Sequence, residues 1–267
     1  MLSKRFKLRA IIEKGIYYLK TDPHVDVIER AGTKRFKKTT FDFLGQPLEI
    51  HDSASFRHSY EELFIRNTYQ FKAINDAPLI LDCGCNMGLS ILYFKQLYPK
   101  SQILAFEADR SIYETAQKNI QRRGLADVRI YHNAVWDCET VVHFVTEGGL
   151  GGRVDHQTNT DNVKGVKTVR LKDYLQQPVD FLKIDIEGAE GRVLKDCRSE
   201  LGNVQRLFVE YHSRYGDPQT LHESLAILQE AGFRYHIKEA HVASHPFMHQ
   251  NLNYGMDLQL NVFAYRD

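Results

Sequence analysis

Asp185, Glu187, Glu210 and His212 are the residues of this sequence best suited to move a proton. They fall in two short blocks, Lys183-Ile-Asp-Ile-Glu-Gly-Ala-Glu190 and Glu210-Tyr-His212, with the polar members two apart. Alternate residues of an extended strand share a face, so each block presents its polar groups together. An imidazole among carboxylates can take the proton of a hydroxyl, which makes His212 a candidate general base oriented by Glu210 or Asp185, with Glu187 beside them. The rival chemistry holds Mg2+ on Asp185, Glu210 and His212 to acidify the hydroxyl directly; no metal ligands are assigned on it. The bland alternative is a salt-bridged cluster with Lys183 and Arg206, since a Lys and an Asp within an apolar strand are costly unless paired.

A second constellation could hold a ligand. Leu79-Ile-Leu-Asp-Cys-Gly-Cys-Asn-Met-Gly88 reads as a buried strand handing over to a helix through a glycine turn. Gly84 and Gly88 let the backbone approach a bound molecule, and Asp82 and Asn86 add polar groups. The Gly-x-x-x-Gly spacing behind an acidic residue is not the dinucleotide fingerprint, and Asp82 would crowd a pyrophosphate. A cationic nucleoside suits it better, which points to S-adenosylmethionine (SAM). Glu107 closes the next strand, about twenty residues on, where doubly wound folds hold a ribose diol. Asn133 and Ala134 end the third strand; the Asn amide can meet an adenine edge, while Val135 or Trp136 covers the ring. Asp185 completes the residues expected to border the donor.

These groups need strands with their carboxyl ends at one crevice. Apolar runs predict strands at Leu79–Asp82, Gln102–Phe106, Val128–Ala134, Val179–Ile186, Arg206–Tyr211, Phe233–Glu239 and Leu258–Tyr265, the last running antiparallel. Helical spacing predicts helices over Phe56–Ala73, Ser111–Arg123, a segment ending near Cys197, and Asp217–Ala231. Val141–Thr146 and Lys167–Leu171 read as a hairpin-like insertion, and the glycines at 148–152 with Arg153 as an acceptor-binding lid or a plain connector. Phe41, Phe43, Leu48 and Ile50 alternate around a Gly45–Pro47 turn. The fold class is therefore α/β, a Rossmann-like and mostly parallel seven-stranded sheet with an antiparallel last strand. Residues 1–77 form a helical or irregular extension and cap, and 78–267 the main domain.

Composition narrows the partners. With 35 Lys and Arg against 34 Asp and Glu, the net charge of +1 gives no reason to expect nucleic acid, and no Asn-Pro-Pro-Tyr turn reads a base. The four cysteines form no disulfide framework, so a cytoplasmic setting fits, and Cys83-x-Cys85 lacks a second pair for metal. His241, His245 and His249 recur by fours, as zinc ligands would, but Pro246 breaks a shared helix, and the favoured reading is a solvated loop bordering the acceptor site. Residues 1–20 interleave Lys and Arg with apolar side chains, as a helix packed on the domain or one touching a membrane surface would.

The assembled motifs resemble the FkbM-type SAM-dependent methyltransferases. The resemblance rests on Asp82-Cys-Gly-Cys-Asn-Met-Gly88, Phe106-Glu107, Asn133-Ala134, the Lys183–Glu190 block, Glu210-Tyr-His212 and Asn261-Val-Phe-Ala264. Cys85 stands where the family commonly has Ala. The resemblance implies a Rossmann-like methyltransferase sheet and methyl transfer to oxygen, usually of a sugar, glycan or polyketide hydroxyl. It leaves the acceptor and the oligomeric state unnamed, and the alternative is a SAM-binding sensor or scaffold without turnover.

Overall fold

The computed structural model describes residues 23–145, 153–154, 163–248 and 255–266. The basic stretch 1–20, the glycines at 148–152, the side chain of Arg153 and His249 lie outside the described residues. Among the described residues, no helix is long and apolar enough to cross a membrane.

The described chain opens with α1 (Pro23–Ala31), an antiparallel hairpin of β1 (Thr39–Phe43) and β2 (Gln46–Ile50), and α2 (Ser53–Tyr60). The hairpin turns on Leu44 and Gly45, both at positive φ, which matches the right-handed twist of the strands. Pro47 thus falls inside β2, opposite Asp42, and not in the turn. Helix α2 begins at Asp52, whose buried carboxylate accepts from the Ser55 amide at 2.9 Å and from Arg35 and the Phe36 amide at 2.8 Å. A π-helical turn, Glu61–Ile65, extends it. The helix stops there and does not reach Ala73, because Asn67 adopts a left-handed conformation that no helix continues through. Phe56, Tyr60 and Phe64 stack in series, and each meets Phe43 edge-on.

Asp52 therefore caps a helix and ties down the segment before it. Burial raises its pKa, but the Ser55 and Phe36 amides, the Ser55 hydroxyl and Arg35 outweigh that and hold it at about 2, below the ordinary 3.8. Its contribution is complete above about pH 4 and is lost as the pH falls through 2. Asp52→Ala should cost about 1–2 kcal/mol in urea unfolding at pH 7, and less at pH 2.5.

The main sheet follows: β3 (Leu79–Cys83), α3 (Leu89–Leu97), β4 (Gln102–Phe106), α4 (Arg110–Arg122) and β5 (Val128–Tyr131). The chain then leaves that sheet for β6 (Ala134–Trp136), β7 (Val141–Val145), β8 (Arg153–Val154) and β9 (Val163–Arg170). It returns with β10 (Val179–Ile184), α5 (Glu190–Cys197), β11 (Val204–Arg214), α6 (Leu221–Glu230), β12 (Arg234–Val242) and β13 (Met256–Tyr265). The seven strands lie in the order β12-β13-β11-β10-β3-β4-β5, and β13 runs antiparallel to both neighbours. This is the expected mostly parallel sheet with an antiparallel last strand. Successive residues of β3 point to opposite layers: Ile80 into the core with α3 and the N-terminal aromatics, Leu81 into the core with α5 and α6.

Several boundaries differ from the sequence reading. The expected strand Val128–Ala134 breaks at His132–Asn133, and Ala134–Trp136 instead pairs in parallel with Thr168–Arg170 in a small sheet ordered β6-β9-β7-β8. The break is pinned where His132 Nε2 lies 3.1 Å from the Ala108 carbonyl. The insertion is antiparallel as expected, with β7 on β9. Strand β10 ends at Ile184, two residues before Ile186, because Glu187 and Gly188 take positive φ and turn the chain. Helix α6 begins at Leu221, four residues later than Asp217.

Candidate active site

The carboxyl ends of β3, β4, β10 and β11 surround a cavity of about 580 Å³. Its near half is built from the turn after β3. Gly84 (φ +87) lies so close to the loop after β10 that a Cβ would sit 1.9 Å from the Asp185 carbonyl oxygen. Only glycine fits there. Gly84, Asn86, Glu107, Asn133, Ala134 and Val135 all line the cavity, as the sequence reading expects.

Glu107 is oriented before any ligand arrives: one oxygen accepts from the Asn86 amide at 2.9 Å, the other from the Asp109 amide at 2.8 Å. Each oxygen keeps a lone pair for a further donor. Asp109, not Glu107, caps α4, accepting from the Ser111 and Ile112 amides. Burial pushes the Glu107 carboxyl up to about 7, against the pull of the two amides. Asn133 donates to the Lys167 carbonyl at 3.1 Å, so its side-chain oxygen remains as an acceptor. Trp136 does not cover the cavity; it is buried beneath Arg192, whose guanidinium carbon is 4.8 Å from the ring centroid, and Val135 takes the lining position.

Two residues expected to touch the donor stand behind the wall. Asp82 is fully buried, 2.5 Å from the Ser90 hydroxyl and 3.5 Å from Lys183 Nζ, and does not line the cavity. Gly88 is the left-handed residue that opens α3, and a Cβ there would meet Ala116 at 3.6 Å. Both shape the turn from outside the cavity.

Lys183 joins the two halves. Its register opposite Asp82, set by the parallel pairing of β10 with β3, brings the ammonium between Asp82 and Asp185, 3.2 Å from the latter. It also donates to the Gly84 carbonyl at 2.7 Å. Burial works against its charge, but Asp185 and Asp82 outweigh burial and hold its pKa well above the usual lysine range. Arg206 takes no part: it sits at the opposite end of β11, bonded to the Gln205 and Arg266 carbonyls.

The far half of the cavity carries Asp185, Glu187 and Glu210 in its wall, but His212 lies behind it. The imidazole is 1% exposed, with Nδ1 3.0 Å from Glu190 and Nε2 3.8 Å from Glu187. Burial lowers its pKa, yet Glu190, Glu187 and Glu210 overcome this and push it up to about 10. Without another cation beside it, His212 is thus an imidazolium at neutral pH and carries the proton already. That state does not suit a general base. Burial likewise raises Glu187, where Asp185 adds to the effect, and Glu210, also next to Asp185.

The sequence reading places Glu190 beside Glu187 near the crevice and leaves Gln259, Asn261 and Tyr69 unassigned. Glu190 accepts from the Ile186 and Gly188 amides at 3.1 Å and so holds the Glu187 turn against His212. Gln259 and Asn261 reach the cavity because β13 pairs them with His212 and Glu210. The period-two rule applied to β13, once its pairing with β11 is set, identifies both. Tyr69 enters from the segment after α2, its ring packed 4.7 Å from Phe208, and no sequence pattern marks it. Asp185, Glu187 and His212 together could hold a metal ion, since one ligand atom from each lies within 4.8 Å of the others. His241 lines the cavity rim, while His245 meets Ser244 in the loop beyond.

Comparison with known proteins agrees with this arrangement. A chain named Methyltransferase 1 from Beauveria bassiana is 26% identical over 200 residues, covering 65% of this chain and 79% of its own length. The 2-O-methyltransferase NoeI of Sinorhizobium fredii is 27% identical over 155 residues, covering 50% of this chain and 63% of that protein. The crystal structure of Methyltransferase FkbM from Methylobacillus flagellatus superposes with a TM-score of 0.50 at 16% identity, over 76% of this chain. The present chain spans 47% of that longer one, and this likeness speaks for the fold alone. The sequence profile of the methyltransferase FkbM domain matches residues 82–235, from the carboxylate behind the glycine turn to the second residue of β12. The chain belongs to the FkbM methyltransferase domain family.

Proposed function

We propose that the protein transfers a methyl group from SAM to a hydroxyl oxygen of a sugar, glycan or polyketide-like acceptor. The observation that carries the donor is Glu107, a carboxylate fixed by two backbone amides with lone pairs left over, beside an apolar wall and a glycine turn. That donor set fits a nucleoside: Glu107 accepts from the ribose hydroxyls, and the Asn133 oxygen faces the adenine amine. SAM supplies an electrophilic methyl group on a sulfonium.

The far half of the cavity suits a polyhydroxylated acceptor. Asp185, Glu187, Glu210, Gln259 and Asn261 offer mostly hydrogen-bond acceptors, the complement of hydroxyl groups. In the reaction the acceptor oxygen gains the methyl carbon, the sulfur keeps the electron pair of the broken bond, and the hydroxyl proton must leave. Glu210 is the group we assign to receive it, because Glu210 faces the cavity and His212 does not. His212, held between Glu190 and Glu187, acts as a positioning residue. The NoeI name, a 2-O-methyltransferase, supports oxygen as the methylated atom.

Calorimetry with SAM tests the donor site. SAM should bind, and Glu107→Gln should weaken it about 10- to 100-fold, the loss of charge-assisted bonds to two hydroxyls. Equal affinity of the variant and the parent would overturn the assignment. Production of S-adenosylhomocysteine with glycosides but not with amines or thiols is expected; binding without turnover on any acceptor would instead indicate a sensor.

A further inference from the structure

We propose that Asp185, Glu187 and His212 form a divalent-cation site in the floor of the cavity. Asp185 and Glu187 each offer an oxygen that the surrounding protein leaves available, and Nε2 of His212 becomes available once the Gln259 side-chain nitrogen, 3.3 Å away, turns aside. Lys183 occupies one oxygen of Asp185, Oδ2 at 3.2 Å, and leaves the other. Oε2 of Glu187 is wholly buried and accepts no hydrogen bond. A buried carboxylate oxygen without a partner is costly, and a cation is one of the few groups that would repay the cost.

His212 supplies the nitrogen. Its Nδ1 faces Glu190 at 3.0 Å, which directs the opposite nitrogen, Nε2, toward Glu187. A carboxylate behind a ligating imidazole fixes its tautomer and orientation, the usual support of a metal-bound histidine. The separation of Nε2 from Glu187 Oε2, 3.8 Å, is too long for a hydrogen bond. It is within the reach of two ligands that share one ion at about 2.0–2.2 Å each.

Tyr69 gives an independent indication. Its side chain comes from the segment after α2, outside the strands that carry the three ligands, and only 8% of the residue is exposed. Among the described residues its hydroxyl makes no hydrogen bond, yet it lines the same cavity and feels the charges of Lys183, Asp185 and Glu210. A water or acceptor hydroxyl on the cation is a partner of the right kind for it. One nitrogen and two carboxylates favour a borderline-hard ion of the Mn2+ or Mg2+ type, and the imidazole tilts the choice toward Mn2+. The cation's use in the reaction, to acidify the acceptor hydroxyl before Glu210 takes its proton, rests on the methyl-transfer reading; its binding does not.

Mn2+ titrated into the full chain, with free Mn2+ read by electron paramagnetic resonance, should reveal one saturable site per chain. Glu187→Gln and Asp185→Asn should each weaken it about tenfold or more, and Asp76→Asn, at an exposed pair with Lys100, should not. Circular dichroism checks that each variant is folded, and SAM calorimetry on the same samples reports the donor site separately. Absence of saturable binding by the parent chain, or binding that both ligand variants retain unchanged, would overturn the cation site while leaving the methyl-transfer reading intact.

Discussion

Replacing Lys183 with Met should lower the stability of the folded protein by about 3–5 kcal/mol, the usual cost of removing one partner from a buried ion pair. The ammonium is 3% exposed and lies between two carboxylates, 3.5 Å from Asp82 and 3.2 Å from Asp185. Met is unbranched and one atom shorter than Lys and carries none of its charge, so most of the packing is kept and the electrostatic loss dominates. A buried anion, Asp82, and a half-buried one, Asp185, would then face each other across the junction of β3 and β10, and the Gly84 carbonyl would lose its 2.7 Å donor. Urea unfolding followed by circular dichroism gives the loss directly. Adding Asp82→Asn to the variant should restore a good part of it, since one of the two stranded charges is gone. A stability within about 0.5 kcal/mol of the parent would show that the lysine charge is not what holds this junction.

The second large effect is on turnover. Glu210→Gln should reduce kcat by about 10²–10⁴-fold, the range expected when a positioned proton acceptor is lost. The substitution keeps the size and one hydrogen-bonding oxygen, so the contact with Gln259 from β13 can re-form. SAM affinity should stay within about twofold, because Glu210 lies in the half of the cavity beyond β10 while Glu107 holds the donor end. His212→Gln should also slow turnover, but through disorder of the Glu187 turn, and its loss should be accompanied by a lower melting temperature. A Glu210→Gln variant with unaltered kcat would move the proton to another group.

The strands and helices were legible because their signals are local. Apolar runs such as Ile103–Phe106 and Val179–Leu182 announce buried strands, and acidic or glycine residues mark their ends. From these signals the convergence of Asp185, Glu187 and Glu210 on one crevice follows, as does the turn from Gly84 to Asn86 beside Glu107. The direction in which a side chain finally points is a tertiary matter. His212 shares a strand face with Glu210, yet Glu190 draws it behind the wall, and Glu190 enters only because Glu187 and Gly188 turn the chain back. Asp82 was read as a ligand contact for the same reason: nothing local shows that the register of β10 sets Lys183 directly opposite it. Tyr69 lay hidden in an apparently continuous helical pattern, Phe56 to Ala73, which Asn67 interrupts.

The missing side chain of Gly84 also decides where this protein could be changed. With the Asp185 carbonyl in the space a Cβ would fill, the turn after β3 and the loop after β10 interlock like two teeth of a gear. Neither can be reshaped without the other, and so the machinery around Asp185 is closed to piecemeal redesign. The outer rim is not so bound. Glu61, Glu62 and Arg66 on one side, and Lys238 and Glu239 on the other, border the same cavity from other elements of the chain. A library aimed at new acceptors should vary those five positions and hold Gly84 and Asp185 constant.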